Sequence, residues 1–343
     1  MISLNMKRKL FFLLFVLSSC SLDGDSEERV SDSTDWEILE TDFPFMMNVR
    51  DFDFLSDKVG FSFGNYVLKT TDGGKSFNAI TSFFQPDLYS SFSAFDENHI
   101  WYGLDQINSL GEKTMKLFKT EDGGINWVES SLGNLILTEL SFTSKNEGFA
   151  LGFYWKNEQW LYQLFKTYDA GKTWIPNLEV DLTGIAAQKI LWKTKDLGFI
   201  LSFSGAEYRT IDGGNSWYKF TSGTPGISGG FYPVAQDRYF DIQFYQTLII
   251  EGLNQTPKEL SPKRVFVLTT DENKGSGILL NEGCLFNGPC TNTFVTTLDG
   301  GLNWTKHQEL AYSSFAINYQ EVKPGLVVFY QQDTENFIWI KAK

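Results

Sequence analysis

An eight-residue turn, Thr-x-Asp-Gly-Gly-x-x-Trp, recurs five times in this chain and limits its fold more than any other feature. It is cleanest from Thr210 through Asp212, Gly213 and Gly214 to Trp217; other copies run Thr70 to Phe77, Thr120 to Trp127, Thr167 to Trp174 and Thr297 to Trp304. In the third copy Ala170 replaces the first glycine. Paired glycines supply the positive φ angles of a tight hairpin, while Thr and Asp side chains bond nearby backbone groups and lock it. The closing aromatic is expected to open the next strand and bury against its neighbours. Asp72, Asp122, Asp169, Asp212 and Asp299 therefore read as structural clasps, since a catalytic carboxylate is needed once and not in every repeat.

The first four copies begin 50, 47 and 43 residues apart and the last follows after 87, so one unit without a box lies between. Repeats of 40–50 residues are the spacing of propeller blades. A second feature keeps the same register, an apolar strand opening on Gly and a hydrophobe: Gly60-Phe61, Gly148-Phe149, Gly198-Phe199, Gly277-Ile278 and Gly325-Leu326, with Ile100-Trp101-Tyr102 as the variant. A lead-in of Phe, five residues and Gly precedes it at Phe54–Gly60 and Phe142–Gly148. Units are expected at about 46–80, 90–130, 137–177, 183–220, 231–260 and 264–308, with 312–343 joined by 34–40 as the seventh. The fifth has lost its box, Ile249-Ile250-Glu251-Gly252 being the nearest remnant. Asp35-Trp36-Glu37-Ile38-Leu39 has the look of a strand that follows a box, so it is expected to complete the last unit and remove an open sheet edge. The expectation is an all-β, seven-bladed propeller of four-stranded antiparallel blades; six blades would require discarding the fifth or the last unit.

These boxes resemble the Asp box, or bacterial neuraminidase repeat, of sialidases and many non-enzymatic propellers. The lead-in joined to Lys-Thr-x-Asp-Gly-Gly-x-x-Trp resembles, over nearly the whole mature chain, propellers related to the photosystem II assembly and stability factor. The resemblance implies that each box is the turn between third and fourth strands of a blade, on the face away from any active site. It is specific for shape and says little about use.

The N-terminus reads as targeting. Lys7, Arg8 and Lys9 precede an apolar run, Leu10 to Leu17, too short to span a membrane as a mature helix. Leu17-Ser18-Ser19-Cys20 resembles a bacterial lipobox, implying a signal peptide over 1–19, lipid on Cys20 and an acidic tether over 20–33, before a propeller at 34–343. Ser21 rather than Asp after the cysteine resembles sorting to the outer membrane, facing the periplasm or the cell surface. The formal charge of −13 becomes −16 without Lys7, Arg8 and Lys9, a balance that repels phosphate backbones and argues against nucleic acid. Cys284 and Cys290 bracket an Asn-Gly-Pro turn and, in an oxidising compartment, most simply form a disulfide. A metal site there would need two further ligands, and the only histidines are His99 and His307. His99 is expected in a second strand and His307 just beyond a box.

Candidate chemistry is confined to the face opposite the boxes, which carries the second-to-third-strand loops. These are expected to span Asp105–Lys113 in the second unit, to include Tyr154, Trp155, Lys156, Glu158 and Trp160 in the third, and to hold the cysteine pair in the sixth. Tyr154, Trp155 and Trp160 suit a protein anchor or a stacked sugar ring; Arg50 and Arg264 begin inner strands on the same face. A sialidase would need three converging arginines and an Arg-Ile-Pro motif. Arg50 is followed by Asp51-Phe52 and Arg238 belongs to the box face, so the three should not converge. Phosphate-binding loops and His-Glu-x-x-His are missing from the sequence. The reading is a monomeric, non-catalytic envelope lipoprotein without cofactor or metal that binds envelope proteins, with glycan binding and a divergent glycoside hydrolase as alternatives.

Overall fold

The computed structural model describes residues 36–342 apart from 40–48, 65, 82–89, 108–112, 134, 203–204, 221–227, 236–237, 244–246, 252–255, 261–264, 271–273, 281–290, 312–316, 324–325 and 333–336. Among the described residues the chain is all β, without a helix, and forms seven four-stranded antiparallel sheets. After β1 (Trp36–Leu39), the first sheet is β2 (Val49–Phe54), β3 (Gly60–Gly64), β4 (Val67–Thr70) and β5 (Asn78–Ala79). The second is β6 (Ser90–Ala94), β7 (Ile100–Ile107), β8 (Lys113–Thr120) and β9 (Val128–Gly133). The third is β10 (Ile136–Phe142), β11 (Gly148–Lys156), β12 (Gln159–Thr167) and β13 (Ile175–Pro176), and the fourth β14 (Ala187–Trp192), β15 (Gly198–Ser202), β16 (Gly205–Thr210) and β17 (Tyr218–Lys219). The fifth is β18 (Ser228–Ala235), β19 (Arg238–Gln243), β20 (Thr247–Glu251) and β21 (Thr256–Glu259). The sixth is β22 (Val265–Thr270), β23 (Gly275–Leu280), β24 (Thr291–Thr297) and β25 (Thr305–Ala311). The last holds β26 (Ile317–Lys323), β27 (Leu326–Gln332) and β28 (Phe337–Ala342), to which β1 adds by pairing Trp36 with Ala342 and Leu39 with Trp339.

Every box joins a third strand to a fourth. In the fourth sheet the Thr210 hydroxyl donates to Asp212 Oδ1 at 2.8 Å and accepts from the Gly214 amide at 2.8 Å. Asp212 Oδ1 also accepts the Ser216 amide at 2.9 Å. The same geometry recurs at Thr70, Thr120, Thr167 and Thr297. The first glycine amide, or that of Ala170, reaches back to the turn between strands one and two of its own sheet: Gly73 to Lys58, Gly123 to Asn98, Ala170 to Asn146 and Gly213 to Asp196. Those turns are themselves fixed by a hydroxyl or carboxylate, Ser56, Asp96, Ser144 or Thr194, accepting the amide three residues on.

The lead-in spacing has a steric cause. Gly60, Gly148 and Gly198 pair across the ladder with Phe54, Phe142 and Trp192, whose rings lie so close that a Cβ would sit 2.5–2.6 Å from them. The second unit inverts the sizes, placing Ala94 opposite Ile100.

Cores form between consecutive sheets. Phe61 and Val67 pack with Phe92 and Tyr102; Trp101 and Leu117 with Leu140 and Phe142; Phe149 and Leu164 with Ile190 and Trp217. The pattern continues with Phe199 against Tyr239 and Phe240 against Val265. Polar ties reinforce the inner strands, the amides of Leu140 and Phe142 donating to the Ser91 and Ser93 hydroxyls. β26 lies beside both β2 and β22.

Three details correct the sequence reading. His99 precedes β7 and sits in the turn, its Nδ1 2.8 Å from Asp96 Oδ1. Asp105 to Ile107 and Lys113 belong to strands, which narrows the expected loop to 108–112, outside the described residues. Ile249 to Glu251 form the end of β20, paired with both neighbours, and are not part of a box-like turn.

The second box glycine is where sheets meet. A Cβ on Gly214, whose φ is +77°, would lie 2.3 Å from the Phe149 ring of the preceding sheet. Gly133 has φ +66° and open space around its Cα. Gly214→Ala is expected to cost about 2–4 kcal/mol, the sum of left-handed strain and overpacking. Gly133→Ala is expected to cost about 1 kcal/mol or less, because only the strain applies and the unfolded chain loses entropy. Urea unfolding of both variants compares them directly.

Candidate binding face

Each sheet has two ends. One carries the boxes and the turns between first and second strands; the other carries the turns between second and third strands. At the box end the carboxylates are fully engaged. Hydrogen bonds from the Thr173 hydroxyl and amide, then the Thr167 hydroxyl, hold Asp169 at about 2. Burial pushes Asp299 upward, but the Asn303 amide and side chain and the Thr297 hydroxyl outweigh it and leave that group also at about 2. Asp72 and Asp212 are lowered in the same way, burial being outweighed by Ser76 and Ser216 respectively, and Asp122 is lowered by the Asn126 amide and side chain. Acids this strong stay ionised at neutral pH and do not donate protons, so general-acid chemistry has no support from the boxes.

Two basic groups at this end, Arg238 and Lys166, join sheets. Arg238, at the start of β19, donates through Nη2 to the Gly300 carbonyl at 2.6 Å. Lys166 is buried, gives a 2.8 Å hydrogen bond to Asn215 and lies 5.2 Å from the Phe149 ring centroid. Trp101 donates to the Ala170 carbonyl at 3.0 Å. Each partner belongs to the box of the following sheet.

Among the described residues the opposite end is most developed in the third sheet. β11 and β12 run nine residues each and meet in a two-residue turn, Asn157 and Glu158, with φ of 51° and 62°. This is a hairpin, not the expected loop. Its pairing sets Phe153 opposite Tyr162 and Trp155 opposite Trp160 on one face, and Tyr154 opposite Leu161 on the other. Tyr154 consequently packs with the core between the second and third sheets and does not join the two indoles. Trp155 and Trp160 are 54% and 52% exposed, with ring centroids 4.9 Å apart in edge contact. Phe153 lies 5.2 Å from Trp160 and 5.1 Å from Tyr162, extending the aromatic row toward the core. Sequence reasoning missed Phe153 and Tyr162, although their two-residue offsets from Trp155 and Trp160 are the strand period.

Of the remaining expected residues, Arg50 is the second residue of β2, at the end of the first sheet remote from its box. Arg264, Cys20, Cys284 and Cys290 lie outside the described residues. Arg238 is committed to Gly300, at the box end, and is not brought toward the Arg50 end of the first sheet. Among the described residues no group of three His, Cys, Asp or Glu side chains is placed to hold a metal ion.

Comparison with solved structures identifies the architecture. A structure of YCF48 bound to D1 peptide matches 91% of this chain and 96% of its own, with TM-score 0.57 and 16% identity. YCF48 from Cyanidioschyzon merolae matches 90% and 98%, with TM-score 0.57 and 13% identity. The chain has the propeller fold of these proteins. A GH74 xyloglucanase from Xanthomonas campestris matches 86% of this chain and 52% of its own, with TM-score 0.53 and 9% identity. No family model and no curated protein matches the sequence.

Linkage through the boxes is measurable. With Asp169 and Asp299 near 2 when folded and about 3.9 when unfolded, their stabilisation is complete above about pH 4 and is lost as pH falls toward 2. In urea melts, Asp169→Asn combined with Asp299→Asn is expected to lower stability at neutral pH and to flatten its decline between pH 4 and 2.

Proposed function

We propose that the protein is a non-catalytic, envelope-anchored scaffold that binds other proteins through the propeller face opposite its boxes. The seven sheets then act as seven blades of one closed ring, with β1 as the closing strand of the blade begun by β26. The observation that carries this reading is the projecting β11–β12 hairpin, whose Trp155 and Trp160 expose half of their large, rigid surfaces on the end remote from the boxes. Such side chains give contact area at low entropic cost and are enriched at interaction hot spots. The likeness to a YCF48 that holds a D1 peptide makes a polypeptide ligand the natural class. Arg50, at the start of β2, and Arg264 are assigned to the rim of the same face.

Anchoring rests on Leu17-Ser18-Ser19-Cys20, with lipid on Cys20 and the acidic stretch 20–33 as a spacer from the outer membrane. Cys284 and Cys290, between β23 and β24, are assigned to a disulfide that clasps the equivalent turn of the sixth sheet. A glycan-binding role is the second reading, favoured by the same exposed indoles, which suit the apolar faces of sugar rings.

Gentle solubilisation of envelopes and co-purification with the lipidated protein tests the scaffold role. Defined proteins are expected with the parent and are expected to be lost with a folded Trp155→Ala/Trp160→Ala variant. Equal recovery with both, or nothing specific with the parent, overturns this assignment; selective retention of oligosaccharides on an array then favours the second reading. For the anchor, Cys20→Ala is expected to abolish metabolic labelling by fatty acid and to release the protein from the membrane fraction.

A further inference from the structure

The third sheet differs from the second and the sixth along its outer edge. In the second and sixth sheets the fourth strand accompanies most of the third, β9 pairing from Lys119 to Met115 and β25 from Thr296 to Thr291. β13 covers only Phe165 and Lys166 of the nine-residue β12. Pro176 sits opposite Phe165, at a position that donates no ladder bond, and the following Asn177 amide makes the last backbone bond, 2.8 Å to the Leu164 carbonyl, while Gln163 Nε2 donates to the Asn177 carbonyl at 3.0 Å. The Asn177 side chain then accepts the Glu179 amide at 3.1 Å and turns the chain away.

That last contact fixes the direction of the remaining backbone groups. Since the Leu164 carbonyl points outward, the alternate residues Tyr162 and Trp160 also aim their N–H and C=O groups outward, while Leu161 and Gln163 face β11. No hydrogen bond among the described residues engages the outward groups of Trp160 or Tyr162. Exposed strand edges are normally shortened, charged or covered. Here the open edge belongs to the two residues whose side chains form half of the aromatic row.

We propose that this edge is a strand-addition site, where an extended polypeptide segment pairs with Trp160 and Tyr162 and lays every second side chain on the row Phe153, Tyr162, Trp155 and Trp160. The proposal rests on the protein-binding reading and specifies its mode. Backbone pairing supplies affinity and the aromatic face selects branched aliphatic or aromatic side chains at alternate positions. The occupant is neutral or basic, because the adjoining linker exposes Glu179 and Asp181 while its Val180 and Leu182 pack in the same core as Tyr162.

The test pans a random dodecapeptide display library against the full lipidated protein in detergent. A recovered peptide is then synthesised unmodified, N-methylated at its odd residues and N-methylated at its even residues. One methylation pattern is expected to weaken binding by at least about tenfold and the other by less than about twofold, because only alternate amides face the edge. Hydrogen exchange at the Trp160 and Tyr162 amides is expected to slow on binding, with Leu161 and Gln163, already bonded to β11, unchanged. Equal effects of the two patterns, protection elsewhere, or failure to recover any peptide overturns strand addition. Protection of the same two amides without peptide, rising with protein concentration, overturns it in favour of a second copy of this chain. If the peptide still needs Trp155 and Trp160 but leaves the amides unprotected, strand addition fails while the protein-binding reading stands. If envelope co-purification also loses its dependence on those residues, the broader reading fails too.

Discussion

The contact on which this structure depends is the approach of a box glycine to the sheet before it. Gly214 faces the Phe149 ring, Gly301 the Phe240 ring and Gly124 the side chain of Ile80, each at a distance that leaves no room for a Cβ. Sheet spacing is thereby set by backbone against side chain, which explains why one position must be glycine for two separate reasons. It needs a positive φ to turn the hairpin and an absent side chain to let the next core close. The Thr–Asp network holds the glycine there, and the indole that follows seals the same core, Trp217 against Phe149 and Trp304 against Phe240. Local turn chemistry and long-range packing are one device, repeated.

That coupling is why so much of the architecture was legible. A motif of fixed residues at fixed spacing records a local geometry, and both the box and the Phe-x5-Gly lead-in are of this kind. The lead-in proves to encode a ring lying over a bare Cα, as at Phe54 and Gly60. Relations between distant residues were not legible. Arg238 could be placed at the box end from its position, but its bond to Gly300, 62 residues away, leaves no mark in the sequence. Nor does the tie from Lys166 to Asn215.

The hairpin at 157–158 was misread for a physical reason. A two-residue turn with both φ angles positive is normally announced by Asn-Gly or Asp-Gly. Here Glu158 takes the second position, and the surrounding Tyr, Trp, Lys and Gln looked like an elaborated loop. The strand period was nevertheless present, in Phe153 with Trp155 and in Trp160 with Tyr162. Reading it would have separated Tyr154, which the alternation sends to the core, from the indoles that remain outside.

Function is sought where the repeat breaks its own rules. A propeller sheet spends its box end on clasps and on cations that join neighbours, as Lys166 and Arg238 do. Variation at that end disturbs spacing. At the other end the second and third strands can lengthen away from the boxes, and the third sheet does so in the nine-residue β11 and β12. Having done so, it also shortens the fourth strand through Pro176 and Asn177, leaving backbone groups open next to two exposed indoles. Either change alone is ordinary; a long hairpin is common, and a short outer strand occurs in the first and fourth sheets as well. Their coincidence on one hairpin is what distinguishes this sheet among the described residues, because it places outward-facing backbone groups and apolar surface within reach of the same ligand. Only a polypeptide offers both complements at the strand repeat.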